Sequence, residues 1–106
     1  KEKELTEALK EFSNIAEIKE KYNINESEIN NLGYSLLRSK KTDEAIEIFK
    51  LNSELFPNSA NVFDSLGESY RINGNTELAI ENYKKSVKLD PNSESAKKAL
   101  SELMSK

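Results

Sequence analysis

With 106 residues and a formal net charge of −3, the chain has the size of one small domain, whose core stays marginal unless its elements stack continuously. Lys and Glu are interspersed, with no basic stripe or aromatic platform to suit nucleic acid. No apolar run approaches the ~18 residues of a membrane-spanning helix, and the start carries no signal-peptide pattern. His and Cys are both absent, which removes the common general base, the thiol nucleophile and most zinc sites. No metal or cofactor is therefore expected. The lack of Cys also leaves the redox compartment unread.

In chain order, Glu4 to about Lys21 reads as one amphipathic helix. Glu7-Ala8-Leu9-Lys10-Glu11-Phe12 has the spacing of Glu44-Ala45-Ile46-Glu47-Ile48-Phe49, and its apolar face continues through Ile15, Ile18 and Tyr22. The stretch resembles the second helix of a hairpin whose first helix is missing. Together with the connector Asn23-Ile24-Asn25 it sets residues 1–24 apart. The chain starts at Lys1 without Met, and the expectation is a piece of something longer.

From residue 26 the chain repeats itself. Leu32-Gly33 returns as Leu66-Gly67, Ala45-Ile46-Glu47 as Ala79-Ile80-Glu81, Phe49 as Tyr83, and Pro57-Asn58-Ser59 as Pro91-Asn92-Ser93. Laying residues 26–59 over 60–93 gives 12 identities in 34 positions. A period of this length is the signature of a stacked helical-hairpin array. The first repeat places Ile29, Leu32, Gly33 and Leu36 on one helical face, then Ala45, Ile48 and Phe49 on a second helix. The second repeat places Phe63, Leu66, Gly67 and Tyr70, then Ala79, Ile80, Tyr83 and Val87. Residues 94–106 continue the pattern with Leu100 at the Leu32 and Leu66 position. Lys97 and Ser101 replace the apolar and glycine positions there, as a terminal capping helix requires.

Start and stop signals recur with the same period. Asn25, Ser59 and Ser93 are expected N-caps, with Glu28 completing a capping box at Asn25. Thr42 and Thr76 are expected to cap the second helices. Asn73-Gly74 is a helix stop that takes positive φ, whereas Lys40 holds the same place in the first repeat and is poorly suited to it. Gly33 and Gly67, facing Ala45 and Ala79, mark helix crossings whose remaining volume is filled by aromatic and leucine side chains. The predicted fold is all-α, about six helices, with Leu32, Leu36, Phe49, Leu66, Tyr70, Ala79 and Tyr83 buried.

This constellation resembles the tetratricopeptide repeat (TPR) family. Leu66, Gly67, Tyr70, Gly74, Ala79, Tyr83 and Pro91 carry the match, with Phe63 where tryptophan is usual. The first repeat matches through Leu32, Gly33, Ala45, Phe49 and Pro57 and departs at Ile29, Leu36 and Lys40. The resemblance implies a right-handed superhelix whose concave face is lined by the first helix of each hairpin. It places Ser27, Asn30, Asn31, Tyr34 and Arg38 on that face, followed by Asn61, Asp64, Ser65, Glu68 and Arg71, and then Ser95 and Ala99. The subclass that grips C-terminal carboxylates does so with Lys and Asn at such positions. That cationic clamp is missing here, and Asp64 with Glu68 repels a carboxylate.

Two features imitate catalytic chemistry. Ser69 follows Gly67 but satisfies no Gly-x-Ser-x-Gly motif and falls mid-helix. Asp64 and Glu68 lie four apart on one helix face, which suits a solvated groove wall better than an acid–base pair. Asn25-Glu26-Ser27 has the form of a glycosylation acceptor, although capping explains Asn25 better.

Three stretches resemble more narrowly the C-terminal TPR appendage of bacterial serine hydrolases, both α/β-hydrolase esterases and β-lactamase-related proteins. They are Lys21-Tyr22-Asn23 leading into Asn30–Tyr34, the run Asn58–Glu68, and Ala79–Tyr83. The Lys-, Asn- and Ile-rich usage suits a low-GC bacterium, as a soluble protein of cytoplasm or periplasm. The expected function is a non-catalytic protein- or peptide-binding module, with Asn30, Tyr34, Arg38, Asn61, Asp64, Glu68 and Arg71 on its binding face. The alternative is an intramolecular or self-association appendage of a hydrolase, dimerising through the N-terminal helix.

Overall fold

The computed structural model describes residues 24–105. These form five α-helices with no strand among the described residues: α1 (Glu26–Arg38), α2 (Thr42–Leu55), α3 (Ala60–Ile72), α4 (Thr76–Leu89) and α5 (Glu94–Met104). Each helix packs on the next in sequence, and α1 also touches α3. This is the all-α array of helical hairpins that the repeat implies. The expected helix at Glu4–Lys21 lies outside the described residues.

The helix starts follow the expected chemistry only in part. Asn25 opens α1 as expected: its side-chain oxygen accepts from the Glu28 amide at 2.9 Å, and its side-chain NH2 donates to the Glu28 carboxylate at 2.9 Å. Ser59 and Ser93 stand at the N-cap positions of α3 and α5, yet neither hydroxyl makes the capping bond. Thr42 and Thr76 are not caps but the first helical residues. The cap positions belong to Lys41, with no side-chain bond, and to Asn75, which accepts from the Leu78 amide at 3.3 Å.

The turns within the two hairpins share one geometry. Lys40 N–H donates to Leu37 and Lys41 N–H to Leu36, at 3.0 and 2.9 Å; Gly74 and Asn75 repeat this with Arg71 and Tyr70 at 3.0 and 2.9 Å. The paired bonds are a Schellman stop, which requires a left-handed residue at its penultimate position. Gly74 has φ of 83° and Lys40 has φ of 62°. A lysine there carries a Cβ penalty of about 1 kcal/mol that glycine avoids. Lys40→Gly is therefore expected to stabilise the domain by up to ~1 kcal/mol, net of glycine's greater freedom in the unfolded chain. A denaturation midpoint unchanged or lowered in the variant would contradict this.

The core is laid down in two overlapping clusters. One joins Ala45 and Phe49 of α2, Leu66 and Tyr70 of α3, Ala79 and Tyr83 of α4, and Ala96, Ala99 and Leu103 of α5. The other gathers Ile24, Ile29, Leu32, Ile48 and Leu55 around the first hairpin. Six of the seven expected core residues are buried; Leu36 is only half-buried, lying at the border where both clusters touch it. Leu100 is likewise half-buried rather than enclosed like Leu66, because no helix follows α5 among the described residues to play the part that α4 plays for α3.

The glycines mark close crossings as expected. A Cβ on Gly33 would fall inside the ring of Phe49, 2.9 Å from Cδ1 and closer still to Cε1 and Cζ, whereas one on Gly67 would meet the Tyr83 ring at 3.1 Å. A second repeated device escapes the apolar pattern altogether. The Asn52 side-chain NH2 donates to the Glu26 carbonyl at 3.2 Å, and the Ser86 hydroxyl donates to the Ala60 carbonyl at 2.8 Å. Each ties the second helix of a hairpin back to the first residue of its first helix. Both side chains are fully buried, and the Asn52 Oδ1 has no partner among the described residues.

Candidate binding face

The first helices of successive hairpins, α1 and α3, share one face with α5, and polar side chains step across it from helix to helix. Between α1 and α3, the Asn61 NH2 donates to Glu26 at 3.3 Å, and the Ser65 hydroxyl donates to the Asn30 side-chain oxygen at 2.7 Å. The Tyr34 hydroxyl donates to the Glu68 carboxylate at 2.6 Å and lies 3.2 Å from Ser65 Oγ. Between α3 and α5, Ser95 donates to Asp64 at 2.9 Å and Arg71 pairs with Glu102 at 3.0 Å. Tyr34 also anchors this face to the core, since its ring meets Phe49 edge-on at 5.1 Å between centroids.

The electrostatics follow from partial burial among carboxylates. Burial pushes the Tyr34 phenol well above its usual range, and the hydrogen bond to Glu68 raises it further. Tyr34 thus remains a donor throughout the neutral range. Asp64 is raised from the ordinary carboxylate value by burial and by the nearby charge of Glu68, with the Ser95 hydrogen bond opposing both. The sign matters: a carboxyl raised in the folded state is held ionised at neutral pH at some cost to stability, and that cost is relieved as pH falls through its folded value. Tyr83, behind this face, is pushed up to about 12, first by burial and then by the charges of Asp64 and Glu68.

Most of the sequence-predicted face residues therefore meet one another. Asn30 and Tyr34 converge on Ser65, Glu68 accepts from Tyr34, Asn61 joins Glu26, Asp64 joins Ser95, and Arg71 joins Glu102. Arg38 is exposed in the last turn of α1, outside this network, and Ser27 and Asn31 are exposed as well. Two expected face residues are closed off from solvent. Ser65 is only 2% exposed and Ala99 is buried in the core cluster, because α3 and α5 turn these positions toward the preceding hairpin. Sequence reasoning missed Glu26 and Glu102. The signal that could have found Glu102 is a spacing of 31 residues, shared by Arg71 with Glu102 and Asp64 with Ser95.

The face offers no assembled catalytic group. Ser69 is fully buried and its hydroxyl donates to the Leu66 carbonyl at 2.7 Å. Among the described residues no cluster of three or more His, Cys, Asp or Glu side chains could hold a metal ion. No helix among them is long and apolar enough to cross a membrane.

Comparison with known proteins agrees with this architecture. Residues 60–93 match the family model of the tetratricopeptide repeat. YrrB, described as a TPR protein with an unusual peptide-binding site, superposes with a TM-score of 0.69 at 25% identity, over 80% of this chain and 44% of its own. A point mutant of MamA gives a TM-score of 0.60 at 33% identity, over 72% of this chain and 56% of its own. A further MamA structure (MSR-1, C2) gives 0.62 at 32% identity, over 74% and 45%. The chain thus spans about half the length of these solved relatives. No curated protein matches the sequence. Family model and structural neighbours together support the tetratricopeptide repeat family, with the helical-hairpin array as its fold.

Proposed function

We propose that the chain is a non-catalytic interaction module that takes an extended peptide along the face shared by α1, α3 and α5. The observation that carries this reading is the polar ladder itself. It presents hydrogen-bonding groups at the spacing of successive hairpins, with exposed Ser27, Asn31, Asn61 and Arg38 beside it. The ladder is acidic at its middle, where Asp64 and Glu68 stand one helical turn apart on α3. Such a surface selects lysine- or arginine-bearing segments and repels a terminal carboxylate. Similarity to YrrB, a protein with a peptide-binding site, supports the same class.

Calorimetry tests the charge preference. Peptides ending in an acidic C-terminal motif are expected to bind no better than millimolar. A lysine-rich extended peptide should bind more tightly and lose about tenfold on Glu68→Gln, the equivalent of about 1.4 kcal/mol. A micromolar dissociation constant for the acidic peptide would overturn the reading.

The finer proposal, that the array is the C-terminal appendage of a bacterial serine hydrolase, rests on the resemblance of three sequence stretches. None of the parent's catalytic residues matches a residue here, so the array alone should leave ester substrates untouched. Hydrolysis of a model ester by the purified chain would refute this.

A further inference from the structure

We propose that Arg38 and Ile72 form a second recognition point on the peptide-binding face, taking an apolar residue and its acidic neighbour from the guest. The proposal rests on the peptide-binding reading and adds the guest's sequence beyond its basic residue. The seam between α1 and α3 is closed by bonds at regular steps: Glu26 meets Asn61, Asn30 meets Ser65, and Tyr34 meets Glu68. Four more residues lead from Tyr34 to Arg38 and from Glu68 to Ile72. In a helix that advance returns to nearly the same side. Arg38 and Ile72 also keep the register of Tyr34 with Glu68, 34 residues apart. They are the fourth step of the seam.

No bond can close this step. An isoleucine side chain has neither donor nor acceptor, so the guanidinium across from it has nothing to hold. Arg38 is exposed and makes no hydrogen bond or ion pair among the described residues, and Ile72 is 58% exposed. Large apolar side chains are exposed at only three described positions. Leu89 ends α4 and Met104 ends α5, whereas Ile72 alone continues the ladder of α1 and α3. A lone exposed isoleucine is ordinary. One in register with three closed steps, opposite a guanidinium with its donors unused, is a place left for a guest.

The chemistry of that guest follows from the last two steps. A rise of 1.5 Å per residue puts successive steps on α1 about 6 Å apart. An extended peptide covers this in about two residues, and side chains two apart point the same way. A guest with its basic residue on Asp64 and Glu68 therefore brings the second residue along to Arg38 and Ile72. An apolar side chain there covers Ile72 and the methylene stem of Arg38. One residue further, a carboxylate meets the exposed guanidinium in a charge-assisted bond. The face changes from acidic at Asp64 and Glu68 to basic at Arg38. A guest with complementary charges in that order fits better than a uniformly basic one.

Calorimetry with peptides capped at both ends tests this on the 106-residue chain. The reference peptide carries a single lysine in a serine background. The probe adds leucine two residues from the lysine and glutamate beside the leucine, and is made in both chain directions. In one direction the probe should bind about tenfold more tightly than the reference. Ile72→Ser should remove the part of that gain which replacing the leucine by serine removes. Arg38→Gln should remove the part lost when the glutamate becomes glutamine. Both positions are exposed, so circular dichroism should match the wild type. A reference peptide that binds and weakens on Glu68→Gln, with a probe gain below about twofold in either direction, would overturn this proposal and leave the binding face standing. A gain that survives both substitutions would overturn it as well. Binding by none of the peptides would end both readings.

Discussion

Replacing Phe49 by alanine is expected to destabilise the domain by about 3–5 kcal/mol, the range for emptying a large, closely packed site. Phe49 is fully buried. Its ring fills the crossing at Gly33, meets Tyr34 edge-on, and belongs to the cluster that binds α2 to α3, α4 and α5. Its neighbours belong to packed helices, so the hole collapses only in part. A domain this small has a total stability of only about 5–15 kcal/mol, so the variant should lose a large share of it. Denaturant titration followed by circular dichroism reads this directly. A loss below about 1 kcal/mol would show that the first hairpin is held from elsewhere.

Gly33→Ala should cost up to about 2 kcal/mol net, although alanine is the better helix former by about 1 kcal/mol. The new methyl would occupy space already held by the Phe49 ring, which is enclosed and cannot swing away. Overpacking of this kind typically costs 1–3 kcal/mol. Gly67→Ala provides the control. There the methyl meets Tyr83 at 3.1 Å, a few tenths of an ångström of movement suffice, and the net change should remain within ~1 kcal/mol. The two first-hairpin substitutions should also be far from additive, because they act on one contact. With Phe49 already alanine, Gly33→Ala should cost nothing and could recover its helix propensity. Equal losses at Gly33 and Gly67 would contradict the steric account.

The stack was legible in the sequence because its closest contacts demand unusual residues. Gly33 and Gly67 within helices, Ala45 and Ala79 opposite them, and Phe49 and Tyr83 between them have few other uses. The positive φ of Lys40 was legible for the same reason, from its alignment with Gly74. Burial at Leu36 and Leu100 was not legible, since it depends on which helices lie alongside and not on local spacing. Capping at Thr42 and Thr76 failed because the turn is so short. Lys41 and Asn75 close one helix and open the next, which shifts each cap one residue upstream. The polar ladder was half-visible. Its residues fell on the expected helices, but their partners lie 31, 34 or 35 residues away, a pairing set by how hairpins lean on one another. Asn52 and Ser86 were invisible to an apolar pattern, even though they stand exactly one period apart.

The bonds from Asn52 to the Glu26 carbonyl and from Ser86 to the Ala60 carbonyl have a mechanical consequence. Each hairpin is already closed at its turn by a Schellman stop, and these bonds, donated by fully buried side chains, lace the opposite end. A hairpin fastened at both ends moves as a plank. Bending is then left to the seams between planks. On one side of each seam lie apolar contacts that slide at little cost; on the other lie the ladder's hydroxyls and carboxylates, with Glu68 and Ser95 exposed and able to exchange their bonds with water. The interior acts as a pivot and the ladder as a row of releasable latches. Opening a few latches would widen the face formed by α1, α3 and α5 without unfolding any helix, so a guest of different girth could be seated by flexing the seams alone.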